Sequence, residues 1–334
     1  MPLGQLAQVL RDVSVGPDER LLVGPETFDD AGIVGLGDVE GLPRGNDVAL
    51  VQTVDYFPPV VDDPWFYGAI AAANALSDVY AMGGRPFSAL NLAGFPKEFP
   101  PEWIAAIFRG GFEKIREAGA VVAGGHTVQS KEASFGFAVT GLVDRRRVRA
   151  NSGARAGDRL YLTKSLGMGA LTTAAKQKKI GWAELAPAAA QMATLNDRAA
   201  AAMNAVDAHA CTDITGFGLV GHARNVALAS GVALRIELAR VPVFPGALEL
   251  ARKGTLSGGS KRGRANLADV VRIGSGPEAA LVDLVFDAET SGGLLIVVAP
   301  AHAARLEAEL AARDLPVHAI GEVVPATGAL IELA

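Results

Sequence analysis

The most informative hydrophobic pattern in the chain runs from Ile70 to Pro86. Ile70, Ala71, Ala73, Ala75, Leu76, Val79 and Met82 form an apolar, mostly helix-favouring surface, and their spacing predicts a helix. Gly83-Gly84 stop that helix and Pro86 prevents it from resuming. Inside this run Asn74 and Asp78 stand four apart, so they share one helix face. A buried amide and carboxylate are costly without partners. They either satisfy a turn or a partner charge, or they serve a site; these residues alone leave the two alternatives level.

Polar–apolar alternation elsewhere sets out the remaining elements. Leu3, Leu6, Val9 and Leu10 predict a short amphipathic helix within residues 1–20, followed by a strand at 21–23. In G-P-E-T-F-D-D-A-G-I-V, residues 24–34, Asp29 and Asp30 lie between a turn signal and a β-like run, where an Asx turn is the plain alternative. Residues 49–55 read as a strand ending in Asp55. An amphipathic helix over 101–119 leads into 120–127, expected to be a buried strand that breaks on Gly124-Gly125. Such glycines let backbone N–H groups approach a ligand without a Cβ in the way. They match neither the Walker loop nor the dinucleotide glycine pattern. A strand at 134–143 precedes the charged, Gly-containing stretch 144–158, which marks a boundary.

The expected units are therefore residues 1–150 and 151–334. The second begins with a strand at Leu160. A Gly-broken helical run over 166–175 and a long alanine-rich helix over 187–205, with Pro187 in its first turn, come next. Asp213 is then expected inside a Gly-bounded turn that runs into a helix, and an apolar strand follows the turn at Phe286. Helices and strands alternate in both halves, which gives α+β or α/β domains.

Composition narrows the classes. At 334 residues, half of them hydrophobic, the chain can bury a sizeable core. A net charge of −5 with dispersed Lys and Arg argues against a nucleic-acid partner held by phosphate neutralisation. The single cysteine, Cys211, excludes an internal disulfide and a cysteine-only metal cage, and with no cationic neighbour it reads as buried and inert. No leader-like or membrane-length apolar run stands out, so a soluble cytoplasmic protein without a membrane partner is expected.

Four acids, Asp30, Asp55, Asp78 and Asp213, are far apart in sequence and each sits in a Gly-rich or apolar setting. If they converge, two carboxylates ~4 Å apart repel by about 4 kcal/mol at an effective dielectric of 20, which calls for a cation. Hard oxygen ligands select Mg²⁺, which also holds phosphate oxygens.

The chain resembles the selenophosphate synthetases (selenide, water dikinases), a family of the aminoimidazole-ribonucleotide-synthetase-like superfamily. The resemblance covers nearly the whole chain. Its motifs, in the family's order, are G-P-E-T-F-D-D-A, T-V-D-Y-F, N-A-L-S-D-V-Y-A-M-G-G-R-P, A-G-G-H-T, N-S-G-A-R-A-G-D, C-T-D-I-T-G-F-G-L-V-G-H-A and D-A-E-T-S-G-G-L-L. It implies a two-domain AIR-synthetase-like fold, α+β or α/β, with an N-terminal mixed-sheet dimerisation domain and a C-terminal α/β domain. It implies a homodimer that makes selenophosphate from ATP, selenide and water, releasing AMP and phosphate. By motif, Asp30, Asp78 and Asp213 match the magnesium-binding aspartates. Thr27, Phe28, Asp29, Asp55, Asp78, Gly125, His126 and Thr127 match nucleotide-binding positions, Phe28 standing where a polar or basic residue is common.

One departure concerns the family's catalytic Cys or Sec and Lys, in a segment like Cys/Sec-Gly-Cys-Lys. The resemblance places Met1 immediately after that lysine, so no catalytic residue is assigned in this chain and impaired turnover is expected. A misread selenocysteine codon and a paralogue without the segment both explain this. Rival expectations are another ATP-dependent kinase or synthetase of the superfamily, such as thiamin-phosphate kinase or a hydrogenase-maturation protein, and a non-catalytic nucleotide-binding paralogue.

Overall fold

The computed structural model describes residues 18–24, 28–37, 47–326 and 328–334. The helix expected within residues 1–20 lies outside these, apart from Asp18–Arg20, where Asp18 and Arg20 pair across a turn.

Two mixed sheets carry the chain. The first holds β1 (Leu21–Val23), β2 (Gly32–Gly35), β3 (Val48–Phe57), β4 (Arg85–Phe95), β5 (Val121–Gln129) and β6 (Ser134–Asp144), in the order β1-β2-β3-β6-β4-β5. Only β4 and β5 are parallel. The second holds β7 (Arg159–Leu162), β8 (Ala208–Asp213), β9 (Ala233–Ile236), β10 (Val271–Ile273), β11 (Leu294–Val298), β12 (Ala319–Val324) and β13 (Ile331–Leu333), in the order β10-β13-β9-β12-β7-β11-β8. That order leaves β8 at an edge.

Helix α1 (Pro64–Ala81) lies between the sheets. Asp63 caps it, accepting from Phe66 N at 2.9 Å, and Pro64 occupies its first position, where no N–H is needed. Gly83 ends it at φ +77°, a conformation glycine adopts without strain. Every residue from Tyr67 to Ala81 is buried. The alanine-rich surface explains this: small side chains let α1 pack on β3 and β6, on α2 (Pro101–Glu117), and on elements of the second half. The approach to α2 is closest where Gly68 faces Ile107 and Gly110 faces Trp65. A Cβ on Gly68 would fall 1.8 Å from the Ile107 carbonyl oxygen, and one on Gly110 2.1 Å from that of Trp65. Phe108 and Phe112 of α2 pack on Phe135 and Phe137 of β6 and close this core.

Three expectations need correction. The strand after α2 neither breaks at Gly124-Gly125 nor is buried. It runs on to Gln129 as the exposed edge strand β5, hydrogen-bonded along β4, with Gly124 at φ +140° absorbing a register irregularity opposite Leu90. The helix expected over 187–205 is two helices in a longer stretch. After α3 (Met168–Lys176), these are α4 (Trp182–Ala193), with Pro187 in its interior, and α5 (Asp197–Asn204). The break falls at Thr194–Asn196 because those groups are engaged elsewhere. The Thr194 carbonyl accepts from Lys164, and Asn196 Nδ2 donates to Ser77 Oγ and the Gly292 carbonyl. Asp213 is the last residue of strand β8, not part of the turn that leads into α6 (Gly218–Ser230).

None of the described helices is long and apolar enough to cross a membrane. The Gly68–Ile107 approach yields a first prediction. Gly68→Ala must push α1 and α2 apart, at a cost of about 1–3 kcal/mol. Denaturant unfolding should show that loss, whereas Gly119→Ala, where an added Cβ meets nothing but φ is +74°, costs only about 1 kcal/mol.

Candidate active site

Four carboxylates meet where the two halves touch. Asp30 precedes β2, Asp55 lies near the end of β3, Asp78 is in the last turn of α1, and Asp213 ends β8. Period-two alternation puts Thr53 and Asp55 on the face of β3 that meets α1, and the four-residue spacing puts Asn74 and Asp78 on the facing side of the helix. Thr53 Oγ1 donates to Asp78 Oδ2 at 2.5 Å, and Asn74 Nδ2 donates to Asp55 Oδ2 at 2.7 Å. Across the seam, Thr212 Oγ1 donates to Asp30 Oδ1 at 2.8 Å. Ser77, whose oxygen accepts from Asn196, hydrogen-bonds Asp213.

Asp30 and Asp213, with His222 of α6, offer ligand-type atoms all within 4.8 Å of one another. At that separation two ionised carboxylates repel by about 3–4 kcal/mol at an effective dielectric of 20. Burial and repulsion both favour the protonated acids. Burial, and then the negative charges of its neighbours, hold Asp30 and Asp78 well above the usual carboxylate range. Burial raises Asp213 to about 7 and Asp55 to about 6. Asp30 Oδ2 and Asp213 Oδ2 are buried without a hydrogen-bond partner. Bare oxygens on carboxylates whose other sides are held by donors are the set a hard divalent cation takes.

Further groups tie this cluster to both halves. Lys164 is buried. Its ammonium donates to the Thr194 carbonyl at 2.7 Å and the Ser291 carbonyl at 3.0 Å, and burial pushes it down to about 7. Ser291 N donates to Asn74 Oδ1 at 2.8 Å, so the amide that holds Asp55 is itself held from the second half. A cleft of about 1460 Å³ opens beside Asp55 and Asn74, walled also by Thr215, Gly216, Lys176 and Trp182. Cys211 is fully buried, and burial pushes its thiol up, so it is no nucleophile.

The other sequence-derived positions are placed as follows. Thr27 lies outside the described residues. Phe28, at φ +53°, turns its carbonyl to Asn151 Nδ2 at 2.9 Å. Asp29 Oδ1 accepts from Asn151 N at 2.5 Å, which pins the turn before β2 to the segment between the halves. Gly125, His126 and Thr127 are not brought to the acids within one chain. The row Asp55–Phe137–Asn91–Gly125 crosses the first sheet, three strand spacings of ~4.8 Å each. Thr53, Ser77, Thr212, His222 and Lys164 were not singled out by sequence. Thr53 had a usable signal, two positions before Asp55 on one strand face, and so had Ser77, one helical turn after Asn74.

Asp78 and Asp213 bind protons more tightly in the folded chain than in the unfolded one, whose carboxyl value is about 3.9. Their contribution to stability therefore falls as pH rises above 4 and through 7. Asp78→Asn keeps an acceptor for Thr53 and removes one charge. In chelator it should raise Tm by ~2–4 °C at pH 8, on the order of 1 kcal/mol, and by less at pH 5. Calorimetry at the two pH values measures this; equal shifts would mean that the carboxylates do not repel.

The family profile of AIR synthase related proteins matches in two parts, the N-terminal domain over residues 28–143 and the C-terminal domain over residues 155–331. The selenide, water dikinase of Geobacter metallireducens is 47% identical over 311 residues, 93% of this chain and 88% of that protein. Among solved structures, AaThiL complexed with AMPPCP and TMP superposes with a TM-score of 0.69 at 20% identity, covering 99% of this chain and 95% of that one. The hydrogenase maturation protein HypE in complex with ATP superposes with a TM-score of 0.64 at 19% identity, covering 90% and 85%. The two structures establish a shared fold. The sequence match goes further: the chain belongs to the selenide, water dikinase family, within the AIR synthase related proteins.

Proposed function

We propose that the protein makes selenophosphate from selenide, ATP and water, with release of AMP and phosphate. The observation that carries this is the convergence of Asp30, Asp78 and Asp213, from three separate elements, with two bare carboxylate oxygens at the seam. Family membership supplies the reaction. For AMP to be released, both phosphoanhydride bonds of ATP break; one phosphoryl group ends on selenium and the other on the oxygen of water.

Asp30, Asp78 and Asp213 would hold Mg²⁺, which when bound offsets the charge that develops on phosphoryl oxygens. The chain's own residues do the rest of the positioning. Thr53, Ser77 and Thr212 fix the carboxylates from behind, so their free oxygens need no reorganisation when the metal–nucleotide arrives. Asp55, Thr27, Phe28 and Asp29 are assigned to the nucleotide.

Gly125, His126 and Thr127 serve the nucleotide from a second copy of the chain. What supports this is their distance from the acids of their own chain and the bare outer face of the first sheet. There Val54 is 58% and Tyr56 63% exposed, with Phe87 and Leu90 also uncovered. An apolar sheet face of this kind fits a two-fold homodimer.

Three measurements test these assignments. Calorimetric titration of ATP should show binding with Mg²⁺ and little with chelator, and Asp213→Asn should weaken the metal-dependent binding by tenfold or more (about 1.4 kcal/mol); equal affinity with and without metal would sink the metal bridge. Phosphorus NMR should show AMP formation that depends on selenide. Light scattering should give a dimer at micromolar concentration, and Tyr56→Glu a monomer; a monomeric parent chain would overturn the shared site.

A further inference from the structure

We propose that His222 is a positioning residue for the metal centre: it orients Thr212, and through it Asp30, and does not itself bind the metal. The inference rests on the assignment of a divalent cation to Asp30 and Asp213.

His222 looks at first like a third ligand, since a ring nitrogen lies within 4.8 Å of both carboxylates. The hydrogen bonds say otherwise. Nε2 is 3.2 Å from the backbone N of Thr215, a group that can only donate. Nε2 must therefore present its lone pair to that N–H, and the Thr215 hydroxyl, also at 3.2 Å, is a second donor candidate for it. With that lone pair engaged, Nε2 carries no hydrogen, and the one proton of the ring, which packs against Phe217, sits on Nδ1. Nδ1 faces Thr212 Oγ1 at 3.4 Å, a long contact in which the hydroxyl oxygen accepts. The single Thr212 proton is then directed to Asp30 Oδ1 at 2.8 Å, a nearer acceptor than the Asp213 carbonyl at 3.1 Å.

The relay thus runs from Thr215 N–H to the imidazole, from imidazole to Thr212, and from Thr212 to Asp30. Both ring nitrogens are committed, which leaves none for a cation. Asp30 Oδ1 is committed as well, which leaves Oδ2 bare. Thr212 belongs to β8 of the second half and Asp30 to the first. The relay therefore holds Asp30 to the neighbour of Asp213 in sequence. A group that donates at one end and accepts at the other is needed at position 222, and neutral imidazole supplies both on a rigid ring.

Histidine-selective ¹⁵N NMR of the metal-free protein should find His222 with Nδ1 protonated and Nε2 bare, assigned by loss of the signal in His222→Gln. The opposite tautomer overturns the proposal. Mn²⁺ titration by electron paramagnetic resonance provides the second readout, with folding of each variant checked by circular dichroism. Thr212→Val, an isostere without the hydroxyl, and His222→Leu should lose about tenfold or more in Mn²⁺ affinity. Thr212→Ser and His222→Gln, which keep the donor and acceptor groups, should stay close to the parent. In an Asp30→Asn background His222→Leu should cost nothing further. Full affinity in folded Thr212→Val, or an undiminished loss in the Asp30→Asn background, would show that His222 acts by another route. A parent protein that binds no Mn²⁺ overturns the metal assignment itself, and this inference with it.

Discussion

Repulsion between buried carboxylates is the constraint that organises this molecule. On top of what burial does, Asp213 raises the proton affinity of both Asp30 and Asp78, and Asp30 raises that of Asp78. Such a cluster is tolerable only if every carboxylate has a donor on one side and the bare oxygens face a common point. Thr53, Ser77, Thr212 and Asn74 supply the donors, and they come from three elements in two halves of the chain. The site therefore exists only when the halves are packed. Neither sheet alone would hold the acids at this spacing.

Helix α1 makes that packing possible. Its alanines keep it thin enough to be buried on all sides, and Gly68 lets α2 lie directly on it. With no bulky side chain to fill space, its few polar groups are fixed by their spacing. Asn74 and Asp78 face β3, and Ser77, between them, meets Asn196 from the second half. Asn74 works in both directions, donating to Asp55 and accepting from Ser291 N. In the stretch that looked costly as sequence, Asn74, Ser77 and Asp78 all find hydrogen-bond partners.

The sequence exposed the acids and hid their partners, for a physical reason. An Asp in an apolar helix or at a strand end violates the burial pattern, so Asp55 and Asp78 stood out individually. Thr53, Thr212 and Ser77 are small and tolerated in any interior, and they violate nothing until a partner 25 residues away for Thr53, 182 for Thr212 and 119 for Ser77 is known. Lys164 follows an ordinary strand, and only the fold shows that its side chain is inside. The glycines of β5 misled in the other direction. Gly-Gly after an apolar run ordinarily ends a strand, but here hydrogen bonds along β4 carry it through. The break at Thr194–Asn196 was equally invisible, because alanine on both sides favours helix and the groups that interrupt it, Lys164 and Ser77, are remote in sequence.

Lys164 also bears on the charge balance of the seam. It is buried and its charge favours ionised Asp213. One ammonium stands beside a cluster of acids. Its hydrogen bonds, however, are spent on the carbonyls of Thr194 and Ser291, not on a carboxylate. Burial has already pushed it down to about 7, which weakens its hold on a full charge near neutral pH. It cannot neutralise Asp30, Asp78 and Asp213 together. Its contribution is to join the break after α4 to the turn before β11, which places Ser291 against Asn74. The carboxylates that face inward remain short of positive charge, most of all at the bare oxygens of Asp30 and Asp213.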